Sequence, residues 1–185
     1  METKIFNGKK IIIRKFADGD MKNVRKFQTF INSLIEEEAL INLNKKLSLT
    51  QEKKWLEEQL RKMKSHRSVY LLAETNDMVV GTTQIYLNEG RGEHVGNFGI
   101  TIKKGYRGIG LGIYLMGEVI KLAKKELKPK PKIIKLDVFP INKPAIGLYK
   151  KYKFKKVAVI PKQREYKGKL YDEIIMLLYL TRNNQ

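Results

Sequence analysis

The run Tyr106-Arg107-Gly108-Ile109-Gly110-Leu111-Gly112 is the part of this chain best suited to hold an anion. Three glycines within five positions remove the Cβ atoms that would keep a phosphate off the backbone. Before the run, Asn97–Ile102 alternates small and apolar residues as a half-buried strand does. After it, Leu111, Leu115, Met116, Val119, Leu122 and Ala123 recur at helical spacing. Strand, glycine turn and helix in that order aim free backbone N–H groups and the positive end of a helix dipole at one point, which suits a phosphate. Two common nucleotide loops fail on their residues. A P-loop requires Gly-Lys-Ser/Thr, whereas Gly112 is followed by Ile113-Tyr114. A dinucleotide fingerprint requires a third glycine where Ile113 stands.

What remains, Arg107-x-x-Gly110-x-Gly112, resembles the acyl-CoA signature of the GNAT superfamily of N-acetyltransferases. A second block strengthens the likeness. Leu136-Asp137-Val138-Phe139 reads as a strand, and Asn142, Ala145, Leu148, Tyr149 and Phe154 match the superfamily's Asn-x-x-Ala-x-x-Leu-Tyr helix and its closing phenylalanine. One position departs: Lys153 stands where the superfamily usually has glycine. Glycine ends a helix well because it tolerates a left-handed backbone. The expectation is that this helix ends differently while keeping its function.

The resemblance implies acetyl transfer from acetyl-CoA to a primary amine by direct attack. An amine attacks only when neutral, so a base must take its proton, directly or through water. The thioester oxygen needs a hydrogen-bond donor and the departing thiolate needs a proton. By resemblance, Ile100, Thr101 and Ile102 lie beside the cofactor arm and supply the backbone donor. Arg107, Gly108, Ile109, Gly110, Leu111, Gly112 and Ile113 wrap the pyrophosphate, and Asn142 fixes the cofactor from the other wall. Tyr149 faces the thiolate and supplies its proton. Asp137 is the candidate base, because members resembling ribosomal-protein alanine acetyltransferases carry glutamate twelve residues before the tyrosine, where Asp137 stands. Aspartate is one methylene shorter, so a bridging water is expected, and a purely structural strand carboxylate is the alternative. Glu93 and His94 are rival bases or water holders, and Glu173 is read as structural.

The elements that must position these groups follow the same pattern. Strands are expected at Ile11–Phe16, Arg67–Glu74, Met78–Leu87, Glu93–Ile102, Lys132–Phe139, Phe154–Pro161 and Lys169–Leu180. Helices are expected from Asp18 to about Leu34, over Gln51–Lys64 with Thr50 as N-cap, after the glycine turn, and over Lys143–Lys153. Turns fall at Asn76-Asp77 and Lys167-Gly168. The fold class is α/β: a mixed, mostly antiparallel, seven-stranded twisted sheet flanked by helices, as in the acyl-CoA N-acyltransferase fold. One domain is expected over residues 1–185. Ile35–Leu49 fits loosest, and there Glu36-Glu37-Glu38 reads as a solvated acidic turn or as an attractor of a cationic acceptor.

Composition sets the remaining bounds. Among 185 residues there is no cysteine, which excludes a thiol nucleophile and a disulfide framework, and two histidines do not build a metal site. No run reaches membrane-spanning length and no signal peptide is legible, so a cytoplasmic protein without membrane or metal is expected, as monomer or homodimer. The net charge of +19 is uneven, about +5 over residues 1–92 and about +14 over 93–185, the half that carries both motifs. Such a surplus steers polyanions. It exceeds what CoA needs along Lys121–Lys135 and Lys150–Lys156. Solvated lysine faces are one explanation and nucleic acid or ribosome contact is another. The expected partners are therefore a small-molecule amine or a protein N-terminus, and the alternative function is a non-catalytic acyl-CoA-binding module docked on RNA or ribosome.

Overall fold

Three two-residue turns set the sheet's registers. Asn7-Gly8, Asn76-Asp77 and Lys167-Gly168 all have positive φ at both positions, the twist that matches paired strands. The computed structural model describes residues 1–180. These turns join β1 (Glu2–Phe6) to β2 (Lys9–Lys15), β3 (Ser68–Thr75) to β4 (Met78–Leu87), and β7 (Lys155–Tyr166) to β8 (Lys169–Tyr179). With β5 (Val95–Ile102) and β6 (Ile133–Val138) they form one eight-stranded sheet in the order β1-β2-β3-β4-β5-β6-β8-β7. The mostly antiparallel fold class is as expected. The sheet has one strand more than the seven read from the sequence, because the hairpin at Asn7-Gly8 adds β1.

Alternation along β3 separates two helical layers. Val69 and Leu71 pack on α3 (Leu111–Glu126) through Met116 and Val119. Tyr70 and Leu72 pack with Phe27, Phe30 and Leu56 of α1 (Val24–Glu36) and α2 (Leu49–Lys64). Helix α1 begins after a 3-10 segment at Asp18–Asn23, so the helix expected from Asp18 is divided. Helix α2 is capped by Ser48 and not by Thr50. Gln51 N–H donates to Ser48 Oγ at 3.2 Å and Ser48 N–H donates to Gln51 Oε1 at 2.8 Å, a reciprocal capping box. Its buried stripe is centred on Leu56, while Trp55 stays 37% exposed with its ring edge on Tyr70.

Helix α4 (Lys143–Lys151) ends in the left-handed manner that glycine usually serves, with Lys153 at φ 64°. Lys153 N–H donates to the Lys150 carbonyl at 2.9 Å and Phe154 N–H to the Tyr149 carbonyl at 3.0 Å. This pair of bonds is the Schellman closure. The expectation of a different helix end is thus corrected: lysine adopts the glycine geometry. Among the described residues no helix is long and apolar enough to cross a membrane.

Candidate active site

Strands β5 and β6 run parallel and stay paired for three residues only, Val95–Asn97 with Ile133–Lys135, before they part. Strand β4 covers the other edge of β5 along its length. Asn88 N–H donates to the Val95 carbonyl and Lys103 N–H to the Val80 carbonyl. The ladder alternates, so the backbones of Asn97, Gly99 and Thr101 also face β4, whereas those of Phe98, Ile100 and Ile102 face the gap. Of the residues expected beside a cofactor arm, Ile100 and Ile102 therefore offer backbone there. Thr101 instead pairs its hydroxyl with Thr82 at 2.9 Å. The gap opens into a cleft of about 1000 Å³.

One mouth of the cleft is the glycine turn. Gly108 and Gly110 have φ of 74° and 90°, a region hard for any residue with a Cβ. Space beside Gly108 is open, while a Cβ on Gly112 would lie 3.2 Å from the Ile102 side chain. Among the described residues no acceptor meets the amides of residues 107–113. A phosphate would satisfy these orphaned donors at a helix N-terminus. The side chains of Ile109 and Leu111 turn away and pack with Ile11 and Ile13, so only their backbones serve the turn. Arg107 donates from Nε to the Ile102 carbonyl at 2.6 Å and pairs with Glu37, which also accepts the Lys104 N–H at 3.0 Å. In the acidic run Glu36 and Glu38 are exposed, as in a solvated turn, and pair at the surface with Lys46 and Lys167, while Glu37 is partly buried against Arg107; none of the three lines the cleft.

Helix α4 forms the opposite wall. Asn142 caps it, accepting the Ala145 N–H at 3.3 Å. Tyr149, 7% exposed, lies edge-on to Phe98 with ring centroids 5.9 Å apart, and its hydroxyl has no hydrogen-bond partner among the described residues. Burial, and secondarily the charge of Asp137, push that hydroxyl up to about 12. It stays protonated at neutral pH.

The second mouth lies on the α1–α2 face. The β3–β4 and β4–β5 registers put Tyr70, Gln84 and Gly99 on one face, and Asp137 joins them, opposite the buried Leu136 and Val138. Asp137 pairs through Oδ2 with Arg164, which no local sequence signal places here. Arg164 also donates to Glu173 at 2.6 Å and to Asn42 at 2.6 Å. It reaches the cleft because β7 bulges between Ile160 and Arg164, with Lys162 at φ 54°. Glu173, read as structural, is therefore a partner of the cleft arginine. Glu52 and Gln84 line the same cleft, and no sequence motif marks either of them. Glu93 and His94 do not line the cleft. Glu93 pairs with Arg67 at 3.5 Å, and the His94 carbonyl accepts the Lys132 N–H at 2.8 Å where β5 and β6 are still paired.

Solved structures share this architecture. A GNAT-family acetyltransferase from Streptococcus pneumoniae superposes with a TM-score of 0.80 over 92% of this chain and 99% of its own, at 24% identity. A ribosomal-protein-alanine N-acetyltransferase from Brucella melitensis gives 0.78 over 91% and 99%, at 20% identity. The protein yncA from Salmonella typhimurium, solved with its cofactor acetyl-CoA, gives 0.77 over 95% and 96%, at 19% identity. No curated protein matches significantly. The family described as Acetyltransferase (GNAT) family matches residues 33–154, a span that holds the glycine turn, both parting strands and Tyr149. By that match the chain belongs to the GNAT family of acetyltransferases, and it is an acyltransferase enzyme.

Proposed function

We propose that this enzyme transfers the acetyl group of acetyl-CoA to a small primary amine. The observation that carries the reading is the parting of β5 from β6 beside a row of unpaired amides at residues 107–113. Acetyl-CoA, when bound, supplies the thioester. Arg107 and the amides from Gly108 to Ile113 hold its pyrophosphate, with the buried Leu111 and the partly buried Ile109 side chains packed behind them. The Ile100 N–H, facing the gap, donates to the thioester oxygen, and Asn142 borders the other wall. Tyr149 delivers a proton to the departing thiolate from a hydroxyl that burial keeps protonated. Asp137 keeps one carboxylate oxygen clear of Arg164 and takes the amine proton through water.

A small acceptor is favoured over a protein N-terminus by the rim of the second mouth. Tyr166 donates to the Glu38 carbonyl at 3.1 Å, Arg164 to Asn42 at 2.6 Å, and Lys167 pairs with Glu38. These contacts carry the β7–β8 hairpin across to the loop after α1, where a peptide backbone would need an open groove. The test follows thiol release from acetyl-CoA against panels of small amines and of peptides with free N-termini. Saturable release with small amines is expected. Efficient transfer to peptides alone overturns the acceptor assignment, and no release with any amine overturns the catalytic one.

A further inference from the structure

Glu52 has no assigned task in the reaction above, yet it is the least ordinary residue in the cleft. It sits in the first turn of α2 and is only 4% exposed. Carboxylates at such depth are nearly always paired. Among the described residues its carboxylate has no ion-pair or hydrogen-bond partner, and it lines the cleft. Nothing in the fold requires a charge there, because Ser48 and Gln51 already complete the helix cap.

A second orphan lies on the same face. Gln84 Oε1 is buried without a donor, its side chain laid over Gly99. Gln84 is the cross-strand partner of Tyr70, and the Glu52 charge acts on the Tyr70 hydroxyl. Trp55, three residues after Glu52 and therefore on the same helix face, sets its ring edge against Tyr70 at 5.6 Å. Two acceptors without donors thus share an aromatic pocket completed by Phe27 and Phe30. The complementary group is rich in N–H donors, positively charged and carried on an apolar body. Arg164 does not fill that role, since its guanidinium is already committed to Asp137, Glu173 and Asn42.

We infer that Glu52, with Gln84 Oε1, receives the ammonium group of the acceptor, and that the acceptor is a primary amine on a hydrophobic or aromatic body. This rests on the transferase reading above and gives it a substrate class. A primary ammonium carries three donors, enough for both orphans, and its attached hydrocarbon meets Trp55 and Phe27. Burial pushes the Glu52 carboxyl up to about 7, so an incoming cation draws it into the charged form as the amine docks. Glu52 is a positioning and specificity residue; the proton chemistry stays with Asp137 and Tyr149.

The test uses the full chain loaded with CoA and two probes of one shape, phenethylamine and the neutral 2-phenylethanol. Trp55 is the sole tryptophan of the sequence, so its fluorescence reports occupancy, with calorimetry as a second readout. The amine should bind at least tenfold more tightly than the alcohol. Glu52→Gln should equalise the two and raise the amine KM at least tenfold with the acetyl-CoA KM unchanged, and Glu52→Asp should recover part of the loss. Equal binding of amine and alcohol by the wild-type protein overturns the inference without need of any variant, as does amine binding indifferent to Glu52→Gln. Glu52-dependent binding without thiol release leaves this site standing and removes the transferase reading. Thiol release that Glu52→Gln leaves untouched does the reverse.

Discussion

Glu37 at the end of α1 is ion-paired with Arg107 of the glycine turn, 70 residues away in sequence. The carboxylate therefore fixes the arginine while opposing its charge. A unit charge roughly 10 Å from a polyanion changes its binding by about 0.4–1.7 kcal/mol at effective dielectric constants of about 80 to 20. Glu37→Gln removes the charge and keeps one acceptor oxygen where the carboxylate uses two, for Arg107 and for the Lys104 N–H, so CoA should bind about two- to seventeenfold more tightly, most clearly at low salt. Glu37→Ala removes both and should weaken binding. Calorimetry of the two variants at two ionic strengths checks the signs, and matched behaviour would mean that Glu37 acts through shape alone.

Tyr149→Phe should lower turnover by roughly ten- to ten-thousand-fold, the usual range for a positioned proton donor, with CoA affinity nearly unchanged. Because its hydroxyl is pushed up to about 12, no fall in activity from Tyr149 ionisation should occur up to about pH 10. Thiol-release kinetics with calorimetry of CoA binding separates this from a binding role, which would show as collapsed affinity.

Lys153 carries the cost of a left-handed backbone, about 1–2 kcal/mol for a residue with a Cβ. Lys153→Gly relieves it but adds freedom to the unfolded chain worth up to about 1 kcal/mol. A net gain of about 0.5–1 kcal/mol is expected by urea denaturation, with turnover unchanged. A loss of stability would show that the lysine side chain contributes more than its backbone costs.

The buried acid gives a pH-dependent stability. Glu52 titrates near 7 in the fold against an ordinary 4.5, its burial disfavouring the charged form, with Tyr70 the titratable neighbour across from it. Its favourable share is complete below pH 4.5 and is lost as pH rises through 7. At 1.36 kcal/mol per pH unit the loss approaches about 3 kcal/mol. Glu52→Gln should therefore be more stable than wild type at pH 8 and nearly equal to it at pH 5, as read from denaturation curves. Equal differences at both pH values would contradict an uncompensated charge.

The basic surplus should be dispensable for the chemistry. Lys125 lies roughly 20 Å along α3 from Gly112, about twice the Debye length at moderate salt. Lys124→Glu with Lys125→Glu should leave turnover on a small amine unchanged. Activity lost only on a ribosomal or other large substrate would instead identify a docking face.

What the sequence disclosed was local. The glycine turn, α3, the Asn142–Tyr149 block and the turns at Asn76-Asp77 and Lys167-Gly168 declare themselves within a few residues, because propensity and turn chemistry act at that range. Asn7-Gly8 marks β1 at the same short range. Ser48 was hidden behind Thr50, although Ser48-x-x-Gln51 spells the capping box. The acceptor side was illegible for a different reason. Arg164 meets Asn42 across 122 residues and arrives there through a bulge, and Glu52 differs from any surface glutamate only in what surrounds it. Burial is a property of the assembled fold, so no short pattern reports it.

The brief pairing of β5 with β6 divides the sheet into two plates, β1–β5 and β6–β8–β7, stitched by a three-residue seam. Along the rest of that line the two plates are not paired with each other, the Ile102 carbonyl being taken by Arg107, and stiffness there depends on side-chain packing through α3 and α4. A molecule seated in the opening and bonded to both edges acts as the missing length of seam. Rigidity of the whole sheet is thereby tied to occupancy of one slot, and release of the occupant returns a joint able to spread.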